Sequence, residues 1–395
     1  MRPLVAKVIR DPLYGDIRLN FLEAAIMDHV AFQRLRRITQ LAGAPFVYPA
    51  AVHTRFSHSL GTMNVAKLYA DALELSPEDY LITALCALLH DVGHGPFSHC
   101  FEDAASSWLG MNHEQIGMSI MQLIGSTLLD QCSAKLLQGL ERESHIYGFD
   151  NARDYVQWAF EETISAVKNE DYRAHIVDGP MGADRLDFIT RDAYFTGVSA
   201  FNTVDIFRLT GNALLMDGQL VYRAKVVDNI YGLTLGRFLM YKNVYYHKTS
   251  RAAELMMQLM ITEAIEEGLL DGYRSVKEFS NLDEPTLLGL VKIKGGKSAQ
   301  IYDQLLRRKL WKVVEERIVK AEQQSQILEE LYLLHAPCHI DVPEKLSLIS
   351  PMDRGEVLIL DEKGVVMPLS HYEEKTGYSL LQQEMNVFVR VYKEV

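Results

Sequence analysis

The chain has 395 residues, enough for two domains or one large domain with an appendage. Hydrophobic residues make up 48% and charged residues 23%, so a large core is available and wholesale disorder is excluded. Its 52 acidic against 40 basic side chains give a net charge of −12, which argues against a general nucleic-acid coat. A highly anionic substrate would need a local basic pocket or a metal ion. The four cysteines, Cys86, Cys100, Cys132 and Cys338, are widely spaced with no CxxC, and read as reduced thiols. The N-terminus lacks the apolar stretch of a signal peptide, and the longest uncharged apolar run, near Tyr80–Leu89, is about half of a membrane span. A soluble, cytoplasmic chain with no membrane contact is expected.

In chain order, residues 1–20 read as a short extended segment with a turn at DPLYGD. From Phe21 to about Ala42 the apolar spacing predicts a helix carrying the basic residues Arg34, Arg36 and Arg37. Residues 43–52 are loop-like, and His58 to Leu73 resumes a helical period. Ser76-Pro77-Glu78-Asp79 is a helix start, with a Ser cap, Pro in the first turn, then acids. That helix must end at the glycines and proline of HDVGHGP, residues 90–96. More helices follow to about residue 200. Asp217-Gly218 between apolar runs predicts a hairpin over Ala213–Tyr222. Residues 226–270 and 275–335 read as helical again, including a polar run near Glu316–Gln326. After His335, HIDV, VLILDEKGVVM and NVFVRVY predict strands, with a turn at Glu362-Lys363-Gly364. The expected architecture is mainly α: a helical domain over 1–290, then a smaller α+β lobe over 291–395.

Thirteen histidines are an ordinary number, but six of them lie between His53 and His113, where an even scatter would place about two. The sharpest element is His90-Asp91 at the end of the apolar helix LITALCALLH. Imidazole and carboxylate suit divalent Zn, Fe, Mn or Ni. A carboxylate at the end of a buried helix is costly unless it is paired or bound to metal. The competing reading is an Asp91 paired with a nearby arginine. Further ligands are needed. His58 and His53 are both candidates that spacing cannot separate, as are the acids Asp184, Asp187 and Asp192.

HxxRFxHSLG, HDVGHGPFSH, HEQ and DRLDFITRD together resemble the HD-domain phosphohydrolases. Within them, the chain is similar to deoxynucleoside triphosphate triphosphohydrolases of the sterile-alpha-motif-associated HD type and their prokaryotic relatives. The likeness runs from about Lys7 to at least Lys312 and starts at the N-terminus, so no sterile-alpha-motif domain is expected ahead of it. The resemblance implies an HD-domain helical core and the metal ligands His58, His90, Asp91 and Asp184, setting His53 and Asp187 aside. The ion would be Fe, Mn, Zn, Ni or Mg, with Mg²⁺ accompanying the nucleotide. His94, His99 and His113 match catalytic histidines, one of which would protonate the leaving 5′ oxygen. Glu102 stands where the family carries an Asp that supports His99. Arg55 and Arg185 would hold phosphates, and Gln40 and Asp192 the sugar 3′-OH. Leu41 and Tyr245 would crowd C2′ and reject a ribose. Phe188 replaces a Tyr, and Tyr246 stands near the base where Gln is common. Alone, Leu41 and Phe188 would pass for core packing.

Lys7, Val8, Asp28, Gln33 and Arg36 match the family's activating guanine-nucleotide site, where Arg10 replaces a smaller polar residue. Arg208, Arg223, Lys225 and Lys248 resemble a second, deoxynucleotide activator site, which Arg308 and Lys312 would reach from a neighbouring subunit. These positions imply GTP and dNTP activators and a homo-oligomer, a tetramer by family pattern. Without the resemblance, FQRLRR is a basic helix face. The expected activity is metal-dependent attack at the α-phosphorus of a dNTP, releasing deoxynucleoside and tripolyphosphate. Two alternatives stand beside it: hydrolysis of another phosphoester, or a non-enzymatic nucleotide sensor.

Overall fold

The computed structural model describes residues 4–201, 203–320, 323–342, 357–377 and 386–394. Lys7–Asp11 (β1) and Gly15–Leu19 (β2) form an antiparallel hairpin, as the DPLYGD turn predicts. Asn20 then caps the helix Phe21–Asp28 (α1) with a reciprocal pair of bonds: its side chain accepts from Glu23 N, and the Glu23 carboxylate accepts from Asn20 N.

The continuous helix expected from Phe21 to Ala42 does not form. It stops at His29, whose backbone is extended, resumes as Val30–Gln33 (α2) and tightens into a 3₁₀ turn at Arg34–Arg37. His29 Nδ1 accepts from Ala31 N at 3.2 Å, so the ring replaces a helical acceptor that the break removes. Arg55–Ala72 (α3) begins earlier than the predicted His58. Pro77–Leu89 (α4) begins as expected, with Asp79 N donating to the Ser76 hydroxyl at 3.1 Å. His99–Leu109 (α5), His113–Gln131 (α6), Ala134–Ile146 (α7), Ala152–Lys168 (α8), Tyr172–Asp178 (α9) and Ala183–Thr196 (α10) follow. Because α3 packs against both α4 and α10, residues more than a hundred positions apart meet at one end of this core.

After Ile206–Thr210 (α11), strands Ala213–Met216 (β3) and Gln219–Arg223 (β4) form the predicted hairpin. Asp217 and Gly218 both take positive φ, 50° and 76°, which matches the right-handed twist of the strands. The expected helical stretch 226–270 divides into Val227–Met240 (α12) and Lys248–Glu266 (α13), joined by one π turn at Tyr241–Tyr245. Such turns re-aim side chains and recur at functional sites.

The C-terminal region corrects a second expectation. Lys312–Lys320 (β5) is a strand, not the start of a polar helix near Glu316–Gln326. Residues 321 and 322 lie outside the described residues. His339–Asp341 (β6), Leu358–Leu360 (β7), Val366–Pro368 (β8) and Asn386–Lys393 (β9) are the remaining strands among the described residues. Strand β9 pairs antiparallel with both β5 and β6, and Glu316 meets Arg390 across the β5–β9 ladder. Val319, Val389, Val391 and Leu331 form a small core of their own. The partner strand arrives some seventy residues later, so pairing and burial override a local helical pattern. Strand β7 instead lies parallel to β4, and Val357 and Leu369 join the main core. Among the described residues, no helix is long and apolar enough to cross a membrane.

Candidate active site

The sequence HDVGHGPFSH places His90 at the C-terminal cap of α4 and throws the chain into a tight loop. Phe97 and Ser98 take positive φ, 62° and 52°, which L residues adopt only under constraint. Gly93 is required by close approach: a Cβ there would lie 2.1 Å from the His113 carbonyl oxygen. The loop therefore docks against the N-terminus of α6.

At the base of this loop, His58 from α3, His90 from the end of α4 and Asp184 from α10 converge. His58 Nε2 is 2.9 Å from Asp184 Oδ1 and 3.2 Å from His90 Nε2, and His90 Nε2 is 3.3 Å from Asp91 Oδ1. Each imidazole is oriented from behind. His58 Nδ1 donates to Asp187 Oδ2 at 2.7 Å, and His90 Nδ1 donates to the Ala87 carbonyl at 2.7 Å. With both Nδ1 atoms carrying the proton, both Nε2 lone pairs face the two carboxylates, which is the donor set a divalent ion takes. The residues thus fit a metal on their own chemistry. Without the ion, His58 rests at about 10. Burial pulls it down, but hydrogen bonds to Asp184 and Asp187 and the charge of Asp91 outweigh that. Asp187 is pushed down to about 2: burial opposes ionisation, and Arg191 and His58 overcome it. Arg191 in turn bonds Asp187 at 2.8 Å and Asp11 at 2.9 Å, so the charges alternate inward from β1. Asp91 also accepts from Arg55 at 2.6 Å. The arginine pair is therefore present at Oδ2, while Oδ1 faces His90 and His94.

A second group of histidines meets on Glu102. His94 Nδ1 bonds its Oε1, while His99 Nδ1 and His113 Nδ1 lie 3.3 and 3.2 Å from its Oε2. The sequence pairs Glu102 with His99; the structure gives it all three rings. His94 bridges inward, with Nε2 3.1 Å from Asp91 Oδ1, and stacks on His113 at 4.8 Å. Burial and the Arg55 charge hold His94 below the ordinary imidazole value. The bond to Glu102 raises His113 above it.

Both groups open on one cavity of about 510 Å³. Its far wall carries Gln40, Leu41, Phe188, Asp192, Tyr245 and Tyr246. Asp192 accepts from Tyr245 OH at 2.6 Å and from His53 Nε2 at 2.7 Å. Arg185 does not line this cavity. Its guanidinium donates to the Pro180 carbonyl at 2.7 Å and borders a separate small void beside Arg237. Eight carboxylates and only two guanidiniums, Arg55 and Arg251, line the cavity, and Arg251 is held by Asp341 and Glu254 at 2.7 Å each. An anionic ligand here needs cations brought with it.

The HD domain family model matches residues 55–145, the span that holds His58, His90, Asp91 and the three histidines on Glu102. Residues 55–145 therefore form an HD domain. The HD associated region model follows over residues 204–336. This HD protein is 29% identical over 374 residues to an uncharacterised protein of Methanocaldococcus jannaschii, covering 91% of this chain and 73% of that one. It is 29% identical over 337 residues to the deoxynucleoside triphosphate triphosphohydrolase SAMHD1 homolog of Dictyostelium discoideum, covering 80% of this chain and 62% of that one. The chain thus spans less than two thirds of that relative's length. A solved phosphohydrolase of Bacteroides thetaiotaomicron superimposes with a TM-score of 0.76 at 23% identity over 98% of this chain and 100% of that one, a likeness of fold.

The outer basic positions divide into local groups. Lys7 bonds Asp28, Arg36 donates to Gln33 at 2.8 Å and lies 3.6 Å over the Phe56 ring, and Val8 is exposed beside them. Arg208 donates to the Lys225 carbonyl at 3.2 Å, and Arg223 ends β4. Lys248 opens α13, Lys312 opens β5, and Arg308 donates to the Phe46 carbonyl at 3.1 Å. Sequence reasoning set aside two residues that the structure ties to the site, Asp187 and His53. The signal for Asp187 was present: it lies three residues after Asp184 and four before Arg191, on one face of α10.

Proposed function

We propose that this HD protein is a dNTP triphosphohydrolase. The observation that carries the reading is one cavity lined by His90 and Asp184 of the His58–His90–Asp184 donor set and also by Gln40, Leu41, Asp192 and Tyr245. His58, His90, Asp91 and Asp184 would hold the divalent ion. When bound, the ion supplies charge neutralisation and a more acidic water. Water adds at the α-phosphorus, the P–O5′ bond breaks, and tripolyphosphate leaves intact. His113, whose proton is secured by Glu102, suits the acid that protonates the 5′ oxygen. His94, bonded to Asp91 and Glu102, links the two histidine groups. The surplus of carboxylates around the cavity supports Mg²⁺ arriving with the nucleotide. Arg55 is the phosphate contact within reach of the cavity, and Arg185 would have to leave Pro180 to act as a second.

The basic groups at Lys7, Asp28, Gln33 and Arg36, and at Arg208, Arg223, Lys225 and Lys248, are read as nucleotide-activator sites. Arg308 and Lys312 would complete them across subunits of an oligomer. Residues 1–290 carry the chemistry in this reading, and 291–395 serve packing and assembly. The test is product analysis with each dNTP and Mn²⁺ or Mg²⁺, with and without GTP. Deoxynucleoside plus tripolyphosphate, absent with Asp91→Ala, is the expected result. Inorganic phosphate as the product would move the assignment to another phosphoester. No hydrolysis of any nucleotide would leave a sensor on an HD fold.

A further inference from the structure

His53 belongs to neither histidine group, yet it touches both residues read as the sugar 3′-OH contacts. Its backbone carbonyl accepts from Gln40 N at 3.0 Å. Its ring Nε2 lies 2.7 Å from Asp192 Oδ1 across 139 residues of sequence. Both side chains of that pair are about 2% exposed or less. An ionised carboxylate can only accept, so Nε2 must carry the proton and Nδ1 the lone pair. The buried Nδ1 has no partner among the described residues. Phe195 stacks on the imidazole at 4.7 Å and 15°, fixing its plane. Tyr245 OH holds the other oxygen of Asp192 at 2.6 Å. The carboxylate is therefore clamped from two sides, each oxygen retaining a free lone pair. The Gln40 side-chain oxygen is also buried without a partner, and Gln40 and Asp192 share the cavity wall. An amide and a clamped carboxylate lining one cavity can together take one hydroxyl, which donates to the acid and accepts from the amide N–H.

We propose that His53 is a positioning residue for the sugar end of the cavity, holding Asp192 through its ring and Gln40 through its backbone so that the pair meets a single 3′-hydroxyl. This rests on the dNTP reading above. It assigns His53 the role at Asp192 that Asp187 has at His58: an outer group that sets the angle of an inner one. Gln at position 53 can reach Asp192 with its side-chain N–H, whereas Ala cannot.

The experiment compares kcat/KM for a dNTP and for the matching 2′,3′-dideoxynucleoside triphosphate in wild type, His53→Ala and His53→Gln. Bound metal and thermal midpoint are recorded for each variant. Wild type is expected to favour the dNTP by about tenfold or more, the worth of one hydrogen bond to a charged group. His53→Ala should lose about that factor on the dNTP and less than about twofold on the dideoxy substrate, with metal content unchanged. His53→Gln should recover most of the preference. Equal losses on both substrates would make His53 merely structural and overturn the proposal. So would a His53→Ala enzyme that keeps its preference, with the dNTP reading left standing. A wild type that hydrolyses both substrates equally overturns the 3′-hydroxyl receptor itself. A wild type that hydrolyses neither overturns the dNTP reading and this proposal together.

Discussion

The two histidine groups of this HD protein sit within one cavity but are built on opposite principles. His58 and His90 have each Nδ1 bonded inside the protein, and behind His58 run Asp187, Arg191 and Asp11 with alternating charge and almost no exposure. His94, His99 and His113 instead share one carboxylate, and the His99 side chain is 72% exposed. The difference teaches what each can do. Ligands whose tautomers are locked by separate partners keep their lone pairs aimed at an ion. Rings that share a single acceptor near water can trade a proton among themselves and release it.

Four experiments break or sharpen this contrast. The largest effect belongs to the locked group: Asp184→Ala should abolish bound metal, read by elemental analysis. It should lower kcat by about 10⁴-fold, since several kcal/mol of charge stabilisation are lost at about 1.4 kcal/mol per decade. Next is His113→Ala in the shared group, expected to cost about 10²-fold or more on a dNTP while keeping its metal. A p-nitrophenyl phosphodiester, whose leaving group needs no proton, should be spared; an equal loss on both esters would remove His113 as the acid. Third, Asp187→Asn should weaken metal affinity by about 10- to 100-fold, with activity returning at saturating Mn²⁺. Activity that stays low at saturation would mean that Asp187 serves the fold and not the ion.

The smallest effect is a shift of a pH profile. Glu102 raises His113 above its ordinary value, so the protonated acid persists to higher pH than free imidazole would. Activity that depends on that proton is full at lower pH and falls as pH rises through the raised value. Glu102→Gln removes the anion, and the alkaline limb of kcat should move to lower pH. A limb that stays in place would assign it to another group.

Much of this was legible along the chain. The Ser76 cap, the stop after His90 and the Asp217-Gly218 hairpin are local, because a cap or a turn is set by residues three or four apart. HDVGHGPFSH and RFSHSLG carried the ligand pair and the family resemblance for the same reason: short spacings on helix ends constrain direction. Other expectations failed where a distant partner decides. The strand Lys312–Lys320 exists because Asn386–Lys393 pairs with it, and the helix after Phe21 breaks because the His29 ring takes over as its acceptor.

The sequence by itself determined the helical core and a cluster of His and Asp side chains, and the family resemblance selected His58, His90, Asp91 and Asp184 within it. Only the tertiary structure decided that Asp187 stands behind His58, that Glu102 gathers three rings, that His53 clamps Asp192, and that Arg185 turns toward Pro180. Those contacts depend on which lone pair or N–H faces which neighbour. Helix packing sets that direction, and residue order along a single helix does not record it.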